Sequence, residues 1–104
     1  TMLGRAELSA LVEACRARSI RLISDEIYHG IVYGEPAACA LELTGEAIII
    51  NSFSKYYSMT GWRLGWLVVP DDLMRGVECL ARSAPCEGHP NYSKHTLSCH
   101  HHYC

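Results

Sequence analysis

Lys55 is the residue whose surroundings most call for a chemical account. It is one of two lysines, with Lys94, and it follows the apolar run Ala47-Ile48-Ile49-Ile50 inside Asn51-Ser52-Phe53-Ser54-Lys55-Tyr56-Tyr57. An isolated lysine is ordinarily a solvated surface group. A lysine just past a sheet strand stands where open α/β folds bind ligands. Partial burial there disfavours the charged form of an amine and leaves it available as a Schiff-base nucleophile. Ser52, Ser54 and Arg63 flank it with two hydroxyls and a guanidinium, the groups that hold a phosphate. The planar arginine fork matches phosphate oxygens. The same serines serve equally well to cap a turn, and Arg63 to form a structural ion pair. Upstream, Asp25 closes a strand-like stretch three residues before Tyr28, where it could also act as an N-cap.

The elements that must position these residues follow from apolar spacing. Leu8, Leu11, Val12 and Cys15 recur at the three-and-four interval of one helical face, and the helix ends by Ser19. Residues 20–24 form a short strand leading into Asp25 and Glu26. Gly34, Glu35 and Pro36 mark a turn within a looser region from Gly30 to Gly45. Residues 47–50 are β-branched and apolar on both faces, as in a strand of a parallel sheet covered by helices. Residues 64–69 give a further strand stopped by Pro70. Asp71 or Asp72 caps a second helix with Leu73, Met74, Val77 and Leu80 along one side. The order predicts an α/β fold: a partial, mostly parallel sheet with flanking helices.

Three segments in this order, Ser24-Asp25-Glu26-Ile27-Tyr28, then Ser52-Phe53-Ser54-Lys55, then Met59-Thr60-Gly61-Trp62-Arg63-Leu64-Gly65-Trp66, resemble the fold-type-I pyridoxal-phosphate aminotransferases of class I/II, the aspartate aminotransferase type. The resemblance spans residues 1–82 and implies a part of the large cofactor-binding domain. It implies pyridoxal phosphate as cofactor, with Lys55 as the catalytic Schiff-base lysine that also shuttles a proton. Asp25 pairs with the pyridine nitrogen, Tyr28 bonds the phenolic oxygen, and Ser52, Ser54 and Arg63 hold the phosphate. An amino acid and a 2-oxo acid are the implied substrates, and a homodimer the implied assembly of a full-length member. Such members also carry an Asn-Pro-x-Gly turn, an aromatic residue stacked on the ring and a carboxylate-binding arginine, none of which this sequence contains in a recognisable place. The polypeptide alone is therefore expected to be weak or inactive. A carbon–sulfur β-lyase on the same fold, and a non-catalytic remnant or interaction module, are the competing readings.

Tyr56, Tyr57, Trp62 and Trp66 read as core or interface aromatics, and His29 likewise as structural. Tyr33 is a possible cleft-lining residue. Composition narrows the remaining classes. The chain has 104 residues, 49% hydrophobic and 19% charged, with a net charge of −2. That balance carries no electrostatic footprint for nucleic acid or an anionic membrane. No apolar run reaches the roughly 18 residues of a membrane span. A cytoplasmic address is the expectation, and the six cysteines are not expected to form a disulfide framework.

Residues 83–104 change character: three cysteines, five histidines and two prolines appear without apolar periodicity. This tail is expected to be disordered and without family resemblance. Cys86, His89, His95, Cys99, His100, His101, His102 and Cys104 are suitable zinc ligands, yet their spacing fits no paired-ligand pattern; no metal site is assigned. A shifted reading frame or an erroneous exon is the competing account of such a segment. Sequencing the gene checks this: a family-like continuation in another frame is expected after codon 82, and its absence removes the explanation.

Overall fold

The computed structural model describes residues 2–83; the tail just discussed lies outside the described residues, apart from Ser83. Helix α1 spans Arg5–Arg16. Its first turn is closed by the Glu7 carboxylate, which accepts the Gly4 N–H at 2.9 Å. Glycine has no side chain to return a cap, so this bond and the acidic residue near the helix start do the work. At the other end Ser19 adopts the left-handed conformation, φ 53°, and the Ile20 N–H bonds back to the Cys15 carbonyl at 2.9 Å. The chain is thereby reversed out of the helix. Leu8 and Val12 are buried as the spacing predicts, Cys15 is half-buried, and Leu11 sits at the exposed margin of the stripe.

Three strands follow: β1, Ile23–Asp25; β2, Ile48–Ser52; and β3, Gly65–Val68. β2 lies in the middle. It pairs with β1 in parallel, Ile23 opposite Ile48 and Asp25 opposite Ile50. It pairs with β3 antiparallel, Ile50 opposite Leu67 and Ser52 opposite Gly65. The fold is α/β as expected, but where a mostly parallel sheet was anticipated, the described strands form a mixed one. The reason is the connection. β2 and β3 are joined through residues 53–64, which contain only the short 3₁₀ turn Thr60–Trp62. A parallel return needs a crossover, usually a helix, whereas this loop carries the chain back along its neighbour.

The core lies on one face of this sheet. Leu8 from α1, Ala40 from the 3₁₀ turn Ala40–Glu42, Ala47, and Ile49 from the central strand are its buried members, with Leu22, Leu41, Leu43 and Val68 packed against them. The other face is open: Ile23 and Ile50 are 60% and 38% exposed. An ion pair between Arg5 and Glu42 ties the start of α1 to the 3₁₀ turn. The hydrogen bond from Arg5 is the largest cause holding the Glu42 carboxyl below the usual carboxylate range.

Helix α2 spans Asp71–Ser83. Asp71 and Asp72 lie within its first turn rather than ahead of it, because buried Pro70 occupies the preceding position and accepts the Leu73 N–H. Asp72 instead receives both guanidinium nitrogens of Arg21, at 2.8 and 3.2 Å. That pair links the helix to the segment entering β1. Leu73, Met74 and Val77 are half-buried along one side, whereas Leu80 is 71% exposed.

Ile49 is the central strand's one fully core-facing isoleucine, 3% exposed. Truncating it removes apolar contacts from helix and sheet together. Ile49→Ala is expected to destabilise the chain by about 3 kcal/mol, seen as a lower midpoint in denaturant unfolding. An unchanged midpoint would show that this core is not what holds the fold.

Candidate functional site

Parallel pairing puts the carboxyl ends of β1 and β2 on the same edge of the sheet. Antiparallel pairing puts the amino end of β3 there too. Asp25 ends β1, Ser52 ends β2, and Arg63 stands two residues before the start of β3. Three segments distant in sequence thus deliver their polar residues to one place, the edge at which open α/β sheets take ligands.

A cavity of about 440 Å³ opens at this edge, lined by Ser52, Ser54, Lys55, Thr60, Arg63 and Ile27, with Ile50 and Leu67 of the open sheet face beneath. Asp25 is opposite Ile50, and Ile50 is opposite Leu67, so all three side chains share that face. Asp25 and Tyr28 line an adjoining cavity of about 400 Å³, with Leu3, Leu8 and His29. The two cavities are bridged by Lys55, whose Nζ stands 5.9 Å from the centre of the Tyr28 ring. This is the outer limit of a cation–π contact.

Each expected residue has a definite local setting. Asp25 Oδ1 accepts the Ile27 N–H at 3.2 Å, so it caps its own turn as the alternative reading of it held, and remains exposed towards the cavity side. Ser52 Oγ accepts the Ser54 N–H at 3.1 Å, which shapes the loop. A hydroxyl has one proton to donate besides the lone pairs it offers, so turn-making leaves that proton for an anion. The Lys55 carbonyl accepts the Ser58 N–H at 3.1 Å, and Ser58 is left-handed at φ 55°. The lysine therefore rides a tight turn. Partial burial was the expectation for Lys55; it is exposed instead among the described residues. Arg63 is also left-handed, φ 52°, ψ 39°. A bulky residue in that region is uncommon and concentrates at functional sites. Among the described residues its guanidinium bonds the Thr60 carbonyl, at 3.5 Å, and it lines the cavity. The structural ion pair held open for Arg63 does not form among the described residues.

Of the aromatics, Phe53, Tyr57 and Trp66 cluster with ring centroids 5.0–5.2 Å apart. This packing stiffens both ends of the lysine loop, and Trp66 also lines the cavity. Tyr33 is 98% exposed. Three residues were not singled out from the sequence: Ile27 and Thr60, which line the cavity, and Glu26, which is buried. Ile27 had a faint signal, an apolar residue inside a polar turn. Thr60 had none.

The donor set suits a phosphorylated aromatic aldehyde. An amine, three hydroxyls and a guanidinium surround one cavity, two isoleucines provide an apolar surface in it, and a carboxylate and a phenol line a second. Space is also kept by glycine. A Cβ on Gly65 would come within 2.8 Å of the Asn51 carbonyl, and one on Gly30 within 2.3 Å of the Tyr56 ring. The second contact docks the Asp25–Tyr28 turn onto the lysine loop. Gly30→Ala is expected to push Tyr56 aside and to cost about 1–3 kcal/mol in denaturant unfolding. Adding Tyr56→Ala should recover most of it. If Gly30→Ala unfolds at the wild-type midpoint, the two segments are not held at this distance.

Similarity to known proteins agrees with this geometry. The family model for aminotransferase class I and II matches residues 1–97. A valine–pyruvate aminotransferase of Mycobacterium tuberculosis is 55% identical over 82 residues, covering 77% of this chain and 21% of that protein. An aspartate aminotransferase of Geobacillus stearothermophilus is 41% identical over 80 residues, covering 72% and 20%. The crystal structure of an aminotransferase from Mycobacterium tuberculosis superimposes with a TM-score of 0.73 at 52% identity, over 77% of this chain and 22% of that one. The chain spans about a fifth of the length of the curated relatives it matches. With three site-bearing segments on one sheet edge and this similarity across them, the chain belongs to aminotransferase class I and II.

Proposed function

We propose that this chain carries the cofactor-holding segment of an enzyme that transfers an amino group between an amino acid and a 2-oxo acid with pyridoxal phosphate. The observation that carries the reading is the convergence of Ser52, Ser54, Lys55 and Arg63 on one cavity, with Asp25 and Tyr28 beside it. When bound, the cofactor supplies an electron sink for carbanion chemistry. The remaining work falls to the chain. The Lys55 amine would hold the cofactor as its Schiff-base partner and would serve as the general base and acid that moves the substrate proton. The Asp25 carboxylate keeps a proton on the ring nitrogen, which maintains the ring's positive charge. The Tyr28 hydroxyl donates to the ring oxygen. Arg63 and the two serine hydroxyls bind the phosphate by charge-assisted hydrogen bonds.

The names of the relatives favour amino transfer over β-elimination. A homodimer and a cytoplasmic address, both expected from the sequence, belong to the same proposal. Among the described residues no helix is long and apolar enough to cross a membrane. What the chain's own residues support is cofactor capture, and that is where the test lies.

The chain is mixed with pyridoxal phosphate, reduced with borohydride, and the modified lysine mapped by mass spectrometry, with Lys94 as internal control. Selective labelling of Lys55 is expected. Arg63→Ala should lower its occupancy about tenfold, the scale of one lost charged hydrogen bond, and Asp25→Ala should lower it as well. Equal labelling of the two lysines, or none, sinks the proposal.

A further inference from the structure

Among the described residues one polar or charged side chain is buried, and it belongs to Glu26, at 3% exposure. A carboxylate out of water is costly unless its oxygens are satisfied. Those of Glu26 are. Oε1 accepts the buried Ala40 N–H at 2.9 Å and the Ser24 hydroxyl at 3.1 Å, and Oε2 lies 3.2 Å from His29 Nδ1. The backbone is engaged as well: the Glu26 N–H bonds the Ile50 carbonyl at 2.8 Å, and its own carbonyl accepts the His29 N–H at 3.0 Å. One residue therefore joins the end of β1, the edge of β2, the start of the 3₁₀ turn and the turn of residues 25–29.

Asp25 and Glu26 are adjacent, so their side chains leave the chain on opposite faces. Asp25 points to the open, cavity-bearing face and Glu26 into the core. Fixing one fixes the other. Asp25 has only the Ile27 N–H to orient it locally, and Tyr28 is 52% exposed. Ser24 and His29, two partners of the Glu26 carboxylate, line the same cavity as Asp25 and Tyr28.

We propose that Glu26 is the positioning residue of this site: its buried carboxylate pins the turn that presents Asp25 and Tyr28 to the cavity. The inference takes from the functional reading what Asp25 and Tyr28 do, but not where they stand. It differs from a plain stabilising role because the effect is local. The test is amide hydrogen exchange by NMR on the full chain without cofactor, comparing wild type, Glu26→Ala and Glu26→Gln. In Glu26→Ala the Ile27 and His29 amides should exchange about tenfold faster, the scale of losing one buried hydrogen-bond partner. The Ala17 amide at the end of α1 should not change. Glu26→Gln should restore most of the protection, because its carbonyl still accepts from Ala40 and Ser24. Unchanged exchange at Ile27 and His29, or equal acceleration at Ala17, overturns the proposal. If Glu26→Ala does not fold, His29→Ala takes its place, with a smaller acceleration at the same two amides expected and the same two results overturning it.

A second readout uses pyridoxal phosphate and its analogue with CH in place of the ring nitrogen. Glu26→Ala should weaken capture of the first at Lys55 more than capture of the second, which keeps the ring oxygen for Tyr28 but has no nitrogen for Asp25; equal weakening of both marks a merely structural residue and counts against the proposal. If wild-type Lys55 captures neither probe, the functional reading fails, and the exchange data alone decide whether Glu26 positions the turn.

Discussion

The site depends on the mixed pairing of the central strand. β2 runs parallel to one neighbour and antiparallel to the other, and this alone brings the end of β1, the end of β2 and the start of β3 to a common edge. Had β3 been parallel to β2, its amino end would lie at the opposite edge of the sheet, and Arg63 with it. The register matters as much as the direction. A slip of one residue in either ladder would turn Asp25 or Ser52 from the open face to the core face. The burial of Ile49 between two residues that face outward holds that register, since only one phase puts its side chain against Leu8 and Ala40.

The two faces of the sheet have different tasks. The covered face carries the small apolar core and, at its border, the satisfied carboxylate of Glu26. The open face carries Asp25, Ile50 and Leu67, with one cavity lined by Ile50 and Leu67 and a second lined by Asp25. Asp25 and Glu26, adjacent in sequence, thus stand on opposite faces through the alternation of a strand. Left-handed Ser58 and Arg63 bracket the second half of the lysine loop. Conformations that bulky residues resist are sustained there by the Phe53, Tyr57 and Trp66 packing and by the short bonds that close the turn.

The open face also gives the fold its main energetic weakness. Exposed Ile23 and Ile50 leave apolar area in water, and the chain spans about a fifth of the length of the relatives it matches. A sheet of three strands has two edges and a small core, and chains of this size bury proportionally little surface.

Much of the site was legible in the residues themselves. Lys55 beside two serines and ahead of an arginine carries the groups that a phosphate-bearing aldehyde requires, and that is what made them candidates before any fold was known. Helix α1 and strand β2 were equally legible, since a three-and-four stripe and a β-branched run are local patterns. Tertiary structure decided what depends on distant partners. It set the direction of β3, because which strand β3 pairs with, and how the loop before it returns, are decided only once the chain has folded. It made Asp72 an ion-pair partner of Arg21, 51 residues away, in place of a cap. It exposed Lys55, since burial is a property of whatever covers a residue. And it turned Glu26 from one acidic letter among eleven into a buried anchor, because a carboxylate's role is set by the donors that reach it, and Ala40 and His29 meet it only once the chain has folded.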